Sequence, residues 1–154
     1  MNNKERSQDH GVVRSRGVAT TVLMVATFMD LMDSTITNVA LPTIGKNLGA
    51  TPEQLEWTVA GYVIAFATLL ITGGRLGDIF GHRRIFVIGI VGFTLASLGA
   101  ALSQTGDLLV AARVLQGGFA GIMMPQVLSS VQVMFAPEER APVLGIIGAL
   151  SSLG

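Results

Sequence analysis

Apolar residues in this chain come in long blocks separated by short polar breaks. A helix that crosses a bilayer needs about 20 mostly apolar residues. Four blocks approach or meet that length. They are residues 18–41, closed by Pro42; 57–74, without a charge; 85–106, also uncharged; and 108–135, which contains one charge, Arg113. A fifth block starts near Pro142 and reaches Gly154. None of them alternates every second residue, as a barrel strand would. The pattern predicts an all-α polytopic membrane bundle with four complete transmembrane helices and the start of a fifth.

The breaks between blocks carry start and stop signals. In Thr51-Pro52-Glu53-Gln54, Thr51 is placed to cap a helix, Pro52 suits its first position and Gln54 closes a capping box. Trp57 then falls one turn in, where an interfacial aromatic belongs. Asp107 is expected to cap the fourth helix, and Pro137 and Pro142 bracket the link to the fifth. Residues 1–17 read as a polar tail carrying Lys4, Arg6, Arg14 and Arg16, and 18–154 as the membrane-embedded part. The apolar run after the tail exceeds a signal-peptide core and lacks a small-residue cleavage site, so it reads as a retained first span.

Basic residues orient the bundle. With the N-terminus in the cytoplasm, Lys4, Arg6, Arg14, Arg16, Arg75, Arg83, Arg84 and Arg140 share that side, Lys46 lies outside and Arg113 is embedded. The expected localisation is the plasma (inner) membrane. Composition agrees: half the residues are hydrophobic and 13% are charged, against roughly a quarter charged in soluble domains. Net charge is zero, which suggests no nucleic-acid partner. Cysteine is absent, which excludes disulfides and thiolate chemistry. The two histidines, His10 and His82, stand far apart and read as solvated, so no metal site or cofactor is implied. With no nucleophile–base pair and no phosphate-binding loop, the chain does not read as an enzyme.

The informative residues are those that lipid penalises. Asp30 and Asp33 lie in the first span and Arg113 in the fourth. Each charge at mid-bilayer costs roughly 2.5–3.5 kcal/mol on insertion scales, so each must face the bundle interior, find a partner or lose its charge. At about 1.5 Å of rise per residue, Asp33 lies roughly 12 Å and Arg113 roughly 8 Å below the outer surface. The two levels are close enough for a pair across a shared cavity. Asp30, one turn deeper on nearly the same face, supplies a second carboxylate suited to carrying a proton. A pair alone could also simply hold two helices together, and for Asp30 a helix-packing role stands level with a functional one. Gly117 and Gly121 form a GxxxG face for close helix contact, beside Gln116. Pro125 is expected to bend the helix. Met123, Met124 and Met134 read as packing or lipid-facing residues.

Between the second and third spans runs Gly74-Arg75-Leu76-Gly77-Asp78-Ile79-Phe80-Gly81-His82-Arg83-Arg84. Asp78 lies near a helix C-terminus, where an anion is disfavoured. It is expected to lie against Arg75, Arg83, Arg84 or the N-terminus of another helix. Such a cluster around a glycine turn suits a latch between rigid bodies; the same arginines also serve as a topology anchor.

These motifs together resemble the major facilitator superfamily and, within it, the fourteen-helix drug:proton antiporters of the EmrB/QacA type. Asp33-Ser34-Thr35-Ile36-Thr37-Asn38-Val39-Ala40-Leu41-Pro42 is similar to the end of their first helix, with Thr37 where valine is common. Gly74 to Arg84 is similar to the superfamily loop motif G-x-L-x-D-x-x-G-[RK]-[RK], with His82 in place of a frequent arginine. Arg113-Val114-Leu115-Gln116-Gly117 is similar to the helix-four motif R-x-x-Q-G. The resemblance implies proton coupling at Arg113, with Asp33 as the helix-one acid near the cavity, and a cytoplasmic gate at Gly74, Arg75, Asp78, Gly81, Arg83 and Arg84; Asp30 joins the proton-coupling set as the neighbouring second carboxylate. It implies helices one and four as counterparts in inverted three-helix repeats.

The function so implied is proton-coupled efflux of a small lipophilic or cationic substrate, with protons, the lipid bilayer and a C-terminal bundle as partners. The family's Gly-Pro antiporter signature would follow Gly154, and residues 145–150 fit its run-in, so the chain is expected to be the N-terminal part of such a transporter. A transport-incompetent membrane fragment and a solute importer of the same fold are the other readings of these residues.

Overall fold

The computed structural model describes the backbone of residues 3–134 and Gly145, and the side chains of residues 24–130. The expected fifth helix and its bracketing prolines lie outside the described residues. Among the described residues, four helices follow in order: α1, Asn3–Leu48; α2, Pro52–Phe80; α3, His82–Ala101; and α4, Gly106–Met134. Three of them, α2, α3 and α4, are long and apolar enough to cross a membrane among the described residues. Many large apolar side chains on them face outward, among them Ile64, Ile71, Val91, Leu95 and Leu115, the arrangement that suits a hydrocarbon solvent.

The first helix departs from expectation at both ends. It starts at Asn3, within the segment read as a tail, and it runs through Pro42 to Leu48. A proline inside a helix removes its own N–H bond and crowds the preceding turn, but the residues after Pro42 keep theirs. The stop comes at Gly49, which takes φ 60°. The amide of Ala50 then donates to the Gly45 carbonyl at 3.0 Å, closing the helix as a left-handed glycine cap does.

The start of α2 matches the sequence reading. The Thr51 hydroxyl accepts from the Gln54 amide, and the Gln54 side chain accepts from the Thr51 amide. The cap of α4 is instead Thr105, whose hydroxyl accepts from the Leu108 amide at 3.3 Å. Asp107 lies one position inside the helix, and its carboxylate accepts from the Gln54 amide group at 2.7 Å. That bond ties the starts of α2 and α4 together. At the far end, Gly81 alone turns the chain from α2 into α3, with φ 93°. A side chain there would be strained.

Helix α4 is the axis of the assembly. It packs along α2 and α3, and α1 touches α2 and α4 more lightly. The α2–α4 seam depends on small residues: a Cβ at Gly117 or Gly121 would run into the backbone of Tyr62 or Phe66, and one at Gly73 into that of Ile122. Two apolar clusters flank the seam. Ala26, Phe86, Met123 and Val127 form one, and Tyr62, Phe93 and Ala120 the other. Met123 is buried in the first and Met124 packs against it; the Met134 side chain lies outside the described residues. Pro125 sits inside α4 without ending it.

Candidate functional site

Where α1, α2 and α4 meet, the described structure gathers the charges that the apolar blocks carry. Arg113 is 4% exposed and Gln116 not at all. They lie three residues apart on α4, hence on one face. Arg113 Nη1 donates to Asp33 Oδ2 at 2.5 Å and to Gln116 Oε1 at 2.8 Å. Gln116 Nε2 donates to Asp33 Oδ1 at 2.7 Å. The three side chains close a ring in which both carboxylate oxygens are held. Arg113 Nε reaches the Thr58 carbonyl of α2 at 3.4 Å. That carbonyl belongs to a turn held by the Thr58 hydroxyl, which donates to the Gln54 carbonyl at 2.7 Å.

Tyr62, one turn after Thr58, covers the guanidinium. The Arg113 Cζ lies 4.4 Å from its ring centroid, a cation–π contact. The ring stacks on Phe66 with centroids 6.4 Å apart. The Tyr62 hydroxyl donates a short hydrogen bond to Asp30 Oδ1. The two aspartates of α1 therefore have different partners: Asp33 holds a guanidinium and an amide, and Asp30 a phenol. Gln116, expected to serve helix packing beside the GxxxG face, is fully buried and bonds across to Asp33 of α1. Gly117 and Gly121 do pack, and by letting the α2 backbone approach they bring Thr58 and Tyr62 to Arg113.

A second polar cluster lies at the Gly81 end. Gln126 is fully buried, and its Nε2 donates to the carbonyls of Gly73 at 2.7 Å and Ile122 at 3.0 Å. Its Oε1 is thus the acceptor that faces His82 Nδ1 at 2.7 Å, and Nδ1 carries a proton. His82 Nε2 lies 3.3 Å from the Ser129 hydroxyl and 3.4 Å from Asp78 Oδ1. Asp78 therefore does not meet an arginine among the described residues. The chain reverses within one glycine, so His82 folds back beside Asp78, while Arg75, Arg83 and Arg84 are exposed. Gly74 faces the Pro125 ring. His82, read as solvated, is instead half-buried and hydrogen-bonded.

Four contributors were missed from the sequence: Thr58, Tyr62, His82 and Gln126. Two carried a legible signal. Tyr62 is the single tyrosine of the chain and stands in an uncharged apolar block. Gln126 is an uncompensated amide in mid-helix, a group that needs partners once it is out of water.

Comparison with known proteins identifies the family. The Major Facilitator Superfamily model matches residues 23–154. A probable actinorhodin transporter of Streptomyces coelicolor is 45% identical over 139 residues, covering 90% of this chain and 24% of that protein. The tetracenomycin C resistance and export protein of Streptomyces glaucescens is 40% identical, covering 89% of this chain and 25% of that protein. The probable multidrug resistance protein EmrY of Escherichia coli is 38% identical, covering 82% of this chain and 25% of that protein. The chain thus spans about a quarter of the length of the curated relatives it matches. An apolar helical bundle with a paired internal charge, matched over nearly its whole length by one transporter family, is an integral membrane protein belonging to the Major Facilitator Superfamily.

Proposed function

We propose that this chain contributes to a proton-coupled efflux transporter, in which protons moving inward drive a small lipophilic or cationic substrate outward. The observation that carries the reading is the ring of buried Arg113 and Gln116 with half-buried Asp33, and Asp30 and Tyr62 beside it. A bundle held by apolar packing alone has no use for two carboxylates and a guanidinium in its spans, where each charge is costly, and such groups in a membrane interior commonly serve a proton or substrate path. The names of the three relatives, each a transporter, exporter or resistance protein, support the outward direction. The positive-inside distribution supports an N-terminus in the cytoplasm, which puts the Gly81 turn and its arginines on that side as a gate. A second bundle completes the cavity. The drive is about 2.3 kcal/mol per charge per 100 mV plus about 1.4 kcal/mol per pH unit, enough for a concentration ratio of order a hundred.

The test is a chimera in which this chain replaces the matching segment of the Streptomyces coelicolor transporter, assayed in everted vesicles. Efflux is expected to need a proton gradient, and addition of substrate to move protons. Asp33→Asn is expected to abolish both while leaving insertion intact. Efflux that persists unchanged in Asp33→Asn removes the ring from the mechanism. The chain expressed by itself, without the chimera's remaining spans, serves as the control for a transport-incompetent fragment.

A further inference from the structure

The polar site holds two carboxylates but a single guanidinium, and their surroundings divide the labour. Asp33 has a charged donor on one oxygen and an amide on the other, at 2.5 and 2.7 Å. That environment suits a permanent carboxylate: a proton on Asp33 would break the pair and strand Arg113, which is buried, at a heavy cost. Asp30 has no such hold. Among the described residues its hydrogen-bond partner is the Tyr62 hydroxyl, a neutral group that can donate to a carboxylate or, with its O–H turned, accept from a carboxylic acid. The Tyr62 ring also covers the face of the guanidinium, 4.4 Å from Cζ, so Arg113 is engaged by Asp33 and Gln116 at its edge and by the ring on its face. The charged and titratable groups around Asp30 in this site are Asp33 from its own helix, Tyr62 from α2 and Arg113 from α4.

We infer that Asp30 is the carboxylate that gains and gives up the coupling proton, that Tyr62 is its positioning residue, and that Asp33 stays the fixed counter-ion of Arg113. This rests on the proton-coupled reading above and names the group that serves it. A proton from water adds to the Asp30 carboxylate; the resulting acid O–H donates to the Tyr62 oxygen, whose own hydrogen turns away. Loss of the proton to water on the other side restores the original bond. No other bond is made or broken, and the Arg113–Asp33 ring persists through both states.

Infrared difference spectroscopy on the chain in lipid vesicles, stepped through pH, reads the acid directly. The wild type is expected to develop a carboxylic-acid carbonyl band, part of which is lost in Asp30→Asn and regained in Asp30→Glu. Tyr62→Phe, which takes away the hydrogen bond of Asp30, is expected to displace the pH midpoint of that component while the helical content stays the same. Undiminished band amplitude in Asp30→Asn overturns the assignment of the acid, and coincident titrations of Tyr62→Phe and wild type overturn the role of the tyrosine. The two readings fail separately. An Asp30 band in a chimera that releases no protons on adding substrate contradicts coupling but not the assignment. Proton release that survives Asp30→Asn contradicts the assignment but leaves coupling to another carboxylate.

Discussion

Gln116 stands one turn after Arg113 and spends both ends of its amide on the same ion pair, accepting from the guanidinium and donating to Asp33. The amide therefore sets the distance and angle at which the two charges meet, and it leaves neither carboxylate oxygen of Asp33 unheld.

Gln116→Leu keeps the volume and removes both bonds. Arg113 Nη1 and Asp33 Oδ1 each lose a partner in a buried site, where an unsatisfied polar group costs about 1–3 kcal/mol. The variant is expected to be less stable by that order in detergent-titration unfolding, and Gln116→Glu, which places a second anion against Asp33, to behave differently with pH. A Gln116→Leu protein as stable as wild type would show that the amide is not part of the ring.

The glycine seam gives an internal control. A Cβ at Gly117 or Gly121 meets the α2 backbone, whereas one at Gly118 meets the far end of the Leu69 side chain. Gly117→Ala and Gly121→Ala are expected to cost about 1–3 kcal/mol through overpacking, and Gly118→Ala less than either. Thermal unfolding of the three variants side by side checks the order.

The Gly81 end has its own spectroscopic signature. Because Gln126 uses its amino group on two carbonyls, neutral His82 must hold its proton on Nδ1. Nitrogen NMR of the imidazole is expected to show the Nδ1–H tautomer, and Gln126→Leu to lose that preference. An Nε2–H tautomer in the wild type would mean that the amide is turned the other way.

Much of this arrangement was legible in the sequence, for identifiable reasons. Charges in apolar blocks are so costly that Asp33 and Arg113 had few places to go, and depth counting along each helix brought them to similar levels. The capping box at Thr51 was readable because every element of it is local. Other features depended on what lies across the interface. Pro42 looked like a stop, yet the helix ends at Gly49, where the backbone takes a left-handed turn that glycine permits. Asp107 looked like a cap, yet Thr105 holds that place and Asp107 reaches Gln54 on another helix. Asp78 sits in a stretch rich in arginine, but a turn of one glycine brings His82 to it first. Tyr62 stood out as a lone tyrosine in an apolar block, but its role comes from facing Asp30 and Arg113 together, on two other helices.

The claim on which the rest depends is that Asp33 and Arg113 face each other inside the bundle, and a double-mutant cycle of Asp33→Asn and Arg113→Gln measures it directly. Each single change leaves a buried charge unpaired and is expected to destabilise the protein by about 3–5 kcal/mol. The double variant is expected to be more stable than the sum of the two losses implies, by well over 1 kcal/mol. Losses that add within about 0.5 kcal/mol would mean that the two side chains do not meet.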